Sequence, residues 1–162
     1  MLKTGRVLLC AALSLATAPA FAESAQQIVP LGENPAFSQL NQFFSGDVSV
    51  VPMFRADGFA ISSVSEVTFL PGARTNWHSH PGGQVFIVTS GVGYTQAWGE
   101  PIQVVKAGDL VHCPDDVKHW HGASKESPMT HIALTGHDDE DGSVEWLEPV
   151  TDEQYNGPLA AQ

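Results

Sequence analysis

Six side chains in the middle of the sequence have the types and spacing to hold an ion and move a proton: His78, His80, Gln84, His119, His121 and His131. His78 and His80 are two apart in an extended run, so they share one face while Trp77 and Ser79 point to the other. Gln84 shares a face with Phe86 and Val88 on the following run, and His119 and His121 repeat the i, i+2 pairing later in the chain. Three neighbouring strands can therefore bring imidazole nitrogens and an amide oxygen to one interior point. Such donors suit a borderline divalent cation, and three histidines meet the usual minimum for a catalytic site with open positions. A lone histidine in a β-protein is more often a surface or hydrogen-bonded residue. Two H-x-H pairs within an apolar β pattern reverse that balance, and the expected ligands of one divalent ion are His78, His80, Gln84 and His119.

His121 shares the inward face of His119, and His131 shares its face with Ala133 and Thr135. An unperturbed imidazole titrates near neutral pH and can carry a proton in either direction, so His121 and His131 are the candidates for base and acid. Their alternatives are plain: His121 as a group that orients a ligand, His131 as a satisfied core histidine. The same parity places Ser65, Val67, Phe69, Phe86, Val88 and Thr135 around a mainly apolar substrate pocket. His112 and His137 read as surface or edge residues, Lys106 and Lys118 as solvated, and Cys113 lacks a neighbouring cation that would activate its thiol.

The elements that must position these groups are short. From Asp47 to Thr135 the chain is a series of runs rich in Val, Ile, Phe and Thr, separated by Gly, Pro and Asp. The runs are 48–54, 61–70, 75–80, 84–90, 93–98, 102–105, 110–113, 118–121 and 129–135, with another at 144–147. Strands at this spacing, without a long helical period between them, indicate an all-β sandwich or barrel. Phe37, Leu40, Phe43 and Phe44 have roughly helical spacing and predict a short helix in an arm over 23–46. Thr151-Asp152-Glu153-Gln154 predicts a capping box on a terminal helical turn. The expectation is one barrel domain over 47–155, followed by a tail over 156–162.

Lys3 and Arg6, an apolar run from Val7 to Ala18 and the small residues before Glu23 have the order of a secretory signal peptide over 1–22. The expected destination is the periplasm of a Gram-negative bacterium, with no membrane association of the mature form. Cleavage would leave 140 of the 162 residues, carrying 5 basic and 18 acidic side chains for a net charge of −13. A chain this acidic does not suit nucleic-acid binding through phosphates. Cys113 would be the sole cysteine left, so no intrachain disulfide is expected.

Gly72, His78, His80, Gln84 and Gly91 fall in the pattern G-x5-H-x-H-x3-Q-x6-G, and Gly108, Pro114, Asp116 and His119 in G-x5-P-x-D-x2-H. These resemble the two cupin motifs, in the right order, with Gln84 in place of the usual Glu, Asp116 in place of Gly and Ala123 in place of Asn. The resemblance implies a double-stranded β-helix, or jelly-roll, barrel. A neutral amide at 84 leaves the ion its full positive charge and makes it a stronger Lewis acid. With Trp77-His78-Ser79-His80-Pro81, Lys118-His119-Trp120-His121-Gly122-Ala123 and Met129-Thr130-His131, the chain is similar to the small bacterial cupin hydroxynitrile lyases. That likeness implies a manganese ion on three His and one Gln, with Fe, Zn, Ni or Co as alternatives. It also implies a small-molecule substrate, a homo-oligomer (dimer or tetramer), and a lyase that cleaves or forms cyanohydrins. Two other readings are an oxygen-dependent metal enzyme of the dioxygenase type and a non-catalytic periplasmic module that binds a small ligand or a metal.

Overall fold

The computed structural model describes residues 26, 28–30, 33–38, 40–55, 60–136 and 144–161. The proposed signal peptide and His137 lie outside them. The described residues form β1 (Phe44–Ser45), β2 (Val48–Arg55), β3 (Ile61–Phe69), β4 (Arg74–Thr75), β5 (His78–Ser79) and β6 (Gln84–Ala97). There follow β7 (Gln103–Lys106), β8 (Leu110–Cys113), β9 (His119–Ala123), β10 (Met129–Gly136), β11 (Glu145–Trp146) and a helical turn α1 (Asp152–Tyr155). The fold is all-β, as the pattern of runs predicts, and it is the jelly roll that the resemblance implies.

The organising element is β6, which belongs to two sheets. Its first half pairs with β10 and β8, and its second half pairs with β7 and β9. One sheet continues through β10 to β3 and β2; the other continues from β9 to β4 and β1, with β5 and β11 at its end. The bend between the halves falls at Gly91, whose φ is +77° and where a Cβ would lie 1.8 Å from the Pro128 carbonyl oxygen. Only glycine can turn the strand this close to its neighbour. The sequence expectation of two strands split by Gly91-Val92 therefore gives way to one bent strand.

Two further expectations change. The described residues of 37–44 form no helix: Phe37 bridges to Val50, residues 41–43 make a turn, and Phe44 pairs with Thr75 in β1. Phe43 and Phe44 lay their rings against Trp146, whereas Phe37 is exposed. The run over 75–80 is broken into β4 and β5 at Asn76-Trp77. The terminal capping box is present, with Thr151 Oγ1 accepting from the Gln154 N–H and the Gln154 side chain accepting from the Thr151 N–H.

Two apolar clusters hold β9 from both sides. The barrel interior contains Val67, Phe69, Phe86, Val88, Met129 and their neighbours. Behind the second sheet, Trp77, Ile102, Trp120, Val150 and Tyr155 form another cluster, covered by the C-terminal segment. Arg74 donates from Nε and Nη2 to the Val150 carbonyl, pairs with Asp152 and lies over the Tyr155 ring, whose hydroxyl donates to the Ala123 carbonyl. All five residues of β9 are consequently buried. A strand packed on both faces gives its histidines little freedom to move, which is what a preformed site requires.

Candidate metal centre

His78, His80 and His119 are buried, and each offers a ring nitrogen within 4.8 Å of the other two. Their backbones explain the convergence. His78 on β5 is directly opposite His119 on β9, and their ring centroids are 4.2 Å apart. The His80 carbonyl accepts from the N–H groups of both Gly83 and Asp116. Asp116 has φ +60°, the left-handed conformation that favours glycine and that Asp tolerates. The departure at 116 thus keeps the turn that ties the second motif to the first.

The ring protons are placed by the backbone. His78 Nδ1–H donates to the Asn76 carbonyl at 3.0 Å, and His119 Nδ1–H donates to the Val117 carbonyl at 2.8 Å. That leaves Nε2 of each ring with its lone pair, the form a metal ligand needs. The Gln84 Oε1 atom lies 3.5 Å from His119 Nε2, so the amide oxygen belongs to the same group. These residues fit a divalent ion: neutral nitrogen donors, one amide oxygen and carbonyls that hold two of the rings.

His121 and His131 stand beside this group. His131 Nε2 and His121 Nδ1 share a proton at 3.2 Å, while the buried His121 Nε2 has no hydrogen-bond partner among the described residues. The backbone N–H of His121 donates to Thr75 Oγ1. The His121 ring is 5.2 Å from that of His78 and 5.9 Å from that of His119. Phe86 packs on both His121 and His131, with centroids 4.9 and 4.8 Å away.

Burial keeps these imidazoles neutral. It lowers His119 to about 4 and His131 to about 3, and with the neighbouring histidines it takes His78 and His121 well below the ordinary value. Histidines of an unfolded chain titrate near 6.5, at about the model-peptide value. Below that pH the unfolded chain binds more protons than the folded one, so stability is lost as pH falls towards the folded values. The slope is roughly 1.4 kcal/mol per pH unit for each such histidine. Chelator-treated protein should therefore keep a constant urea midpoint above pH 7 and lose it steeply between pH 6.5 and 4. A flat midpoint across that window would contradict the burial of neutral rings.

A cavity of about 210 Å³ opens onto the site, lined by His78, His80, Gln84, His121 and His131 among others. Ser65, Val67 and Thr135 line it as expected from parity. Phe69, Phe86 and Val88 do not; they face inward but lie deeper, where Phe69 and Phe86 pack against His121 and His131. The wall also contains residues that sequence reasoning did not identify: Phe44, Val50, Ser63, Thr75, Val144 and Trp146. Trp146 stacks on Phe43 at 4.7 Å and lies 5.0 Å from His78. Ser63 is two residues before Ser65, and the same parity would have found it.

Other candidates sit elsewhere. His112 is exposed. Cys113 is buried, which pushes its thiol up to about 12 and removes it as a nucleophile. Lys118 pairs with Glu148 and lies 3.6 Å from the Trp98 ring centroid.

Residues 65–135 match the family model of the cupin domain. Over 124 residues the chain is 44% identical to an (R)-mandelonitrile lyase of Granulicella tundricola, covering 76% of this chain and 90% of that protein. A cupin-like protein from Thermotoga maritima has a TM-score of 0.69 at 38% identity, covering 85% of this chain and all of the other. A polyketide cyclase from Streptomyces resistomycificus shares the fold alone, with a TM-score of 0.59 at 12% identity over 82% of this chain and 92% of that one.

Proposed function

The chain belongs to the cupin family, and on that premise we propose that it is a metal-dependent carbon–carbon lyase of the hydroxynitrile lyase type, cleaving or forming cyanohydrins. One observation carries the reading: His121 Nε2, buried and without a hydrogen-bond partner among the described residues, stands on the wall of the same small cavity as His78, His80 and Gln84. The relative at 44% identity, an (R)-mandelonitrile lyase, supports it. At about 210 Å³ the cavity is smaller than the roughly 300–1,000 Å³ that accommodates drug-sized ligands, which suits a small substrate.

His78, His80, Gln84 and His119 would hold the ion, manganese on the resemblance to the lyases. When bound, it supplies Lewis-acid polarisation of the substrate hydroxyl. His121 donates its Nδ1–H to His131 Nε2, which leaves Nε2 of His121 as the base that takes the hydroxyl proton. The carbon–carbon bond to the nitrile then breaks with its electron pair on cyanide while the carbonyl forms. The proton on His121 passes to cyanide, giving an aldehyde and hydrogen cyanide. Because burial keeps both rings neutral, the acid is the imidazolium generated in the first step. His131 acts on His121 by accepting its Nδ1–H and stabilising that cation.

The test is purified protein loaded with manganese and given mandelonitrile. Benzaldehyde and cyanide should appear in equal amounts, at the same rate with and without oxygen. Oxygen uptake coupled to substrate loss would replace this reading with the dioxygenase. Inertness of the fully loaded protein towards cyanohydrins would favour a binding module.

A further inference from the structure

The cavity has a hydroxyl-bearing wall that the proposed proton transfer does not use. Ser63 on β3, Thr135 on β10 and Gln84 on β6 are direct partners across three adjacent strands. They form a row in which neighbouring Cβ atoms are about 4.5–5.5 Å apart. Ser65, two residues further along β3, is one step deeper and faces the same way. The row starts at a candidate metal ligand and runs away from it along one side of the cavity.

These hydroxyls differ from those on the back of the same strands. Behind the sheet, Ser62 Oγ donates to the carbonyls of Thr135 and Gly136, and Thr68 and Thr130 bond to each other. On the cavity side, the hydroxyls of Ser63, Ser65 and Thr135 have no hydrogen-bond partner among the described residues. Thr75, on the opposite sheet, is already engaged by the His121 N–H. That opposite wall also presents His78 and His121 and, beside them, Phe44 and Trp146. The free hydroxyls are thus on the sheet of β3 and β10, beside Val67, Ala133 and His131, and the Phe44 and Trp146 rings are on the sheet of β1 and β11, beside His78 and His121.

We propose that Ser63, Ser65 and Thr135 form the site for the nitrile, and hence for the leaving cyanide, of an aryl cyanohydrin whose ring lies against Phe44 and Trp146. The assignment rests on the lyase reading. With the substrate hydroxyl held beside His78, Gln84 and His121, the nitrile is one bond from the carbinol carbon and reaches the row that begins at Gln84. When the carbon–carbon bond breaks, its electron pair moves onto cyanide, and hydroxyl donors aimed at that group stabilise the charge as it develops. The proton from His121 then completes hydrogen cyanide, so the row donates hydrogen bonds and loses no proton. Three distinct contacts, to hydroxyl, nitrile and ring, also fix the hand of the substrate.

The experiment compares Ser63→Ala, Thr135→Val and their combination with the unaltered protein, all loaded with manganese. Two fragments probe the halves of the substrate: phenylacetonitrile lacks the hydroxyl, and benzyl alcohol lacks the nitrile. Their affinities are read by quenching of tryptophan fluorescence, which needs no turnover. The double variant should bind phenylacetonitrile about tenfold more weakly and benzyl alcohol unchanged, and its kcat on mandelonitrile should fall at least about tenfold. Thr135→Ser, which restores a hydroxyl, should recover both. Equal weakening of the two fragments, or an unchanged phenylacetonitrile affinity in a protein that still cleaves mandelonitrile, overturns the nitrile site alone. Selective loss of phenylacetonitrile binding in a protein that never cleaves mandelonitrile supports the site and sinks the lyase reading.

Discussion

Replacing His121 by alanine should lower cyanohydrin cleavage by about 10²–10⁴-fold, the range for loss of a positioned acid–base group, while a full equivalent of metal stays bound. The two halves of the result follow from different contacts. The bond of His121 to His131 uses Nδ1, and its Nε2 has no hydrogen-bond partner among the described residues. The group of ring nitrogens that can hold an ion contains His78, His80 and His119 without it. Removing the ring therefore takes away the base and leaves the donors. His131→Ala should have a smaller effect, because His131 reaches the cavity reaction through His121. Its Nε2 fixes which nitrogen of His121 carries the proton, so that variant should also change the pH profile. Elemental analysis beside the rate measurement decides the matter: metal lost from His121→Ala would make His121 a ligand and leave the proton transfer without its base.

The sequence was informative about faces and poor about depth. An i, i+2 pair on a strand has one geometric consequence, and His119 and His121 show it: both point inward, with Trp120 on the other side in its own cluster. The same rule brought Ser65, Val67 and Thr135 to the cavity. Phe69, Phe86 and Val88 obey the rule too, yet lie beneath the histidines because alternation does not say how far along the barrel a residue sits. That information is carried by register, in which His131 is opposite Val67 and Val88, and Thr135 is opposite Ser63 and Gln84. Phe44 and Trp146 were beyond reach for another reason. They come from two-residue strands at distant points in the chain, pinned by pairing to Thr75 and His78, and so short an element has no period to read. Phe37–Phe44 misled in the opposite way, since aromatic residues three and four apart satisfy a helical pattern even when tertiary pairing holds them in a bridge and a turn.

Replacing His119 by alanine should abolish stoichiometric metal and, with it, all cleavage above background. His119 is the ring that links the group: it is paired to His78, its centroid is 5.5 Å from that of His80, and its Nε2 is beside the Gln84 amide oxygen. Loss of partners that merely orient metal-bound histidines costs about 10–100-fold in affinity; loss of a direct donor should exceed that. Dialysed variant should carry far less than one equivalent of manganese by elemental analysis, whereas His121→Ala carries one. The two variants thus separate holding the ion from moving the proton. His119→Ala has a second expected signature that involves no metal. The buried neutral ring is one of those that make the chelated protein acid-sensitive, so its removal should make the fall of the urea midpoint between pH 6.5 and 4 shallower by about one proton. An unchanged slope would mean that His119 is not buried as a neutral base, and a variant that keeps a full equivalent of metal would mean that the ion is held elsewhere.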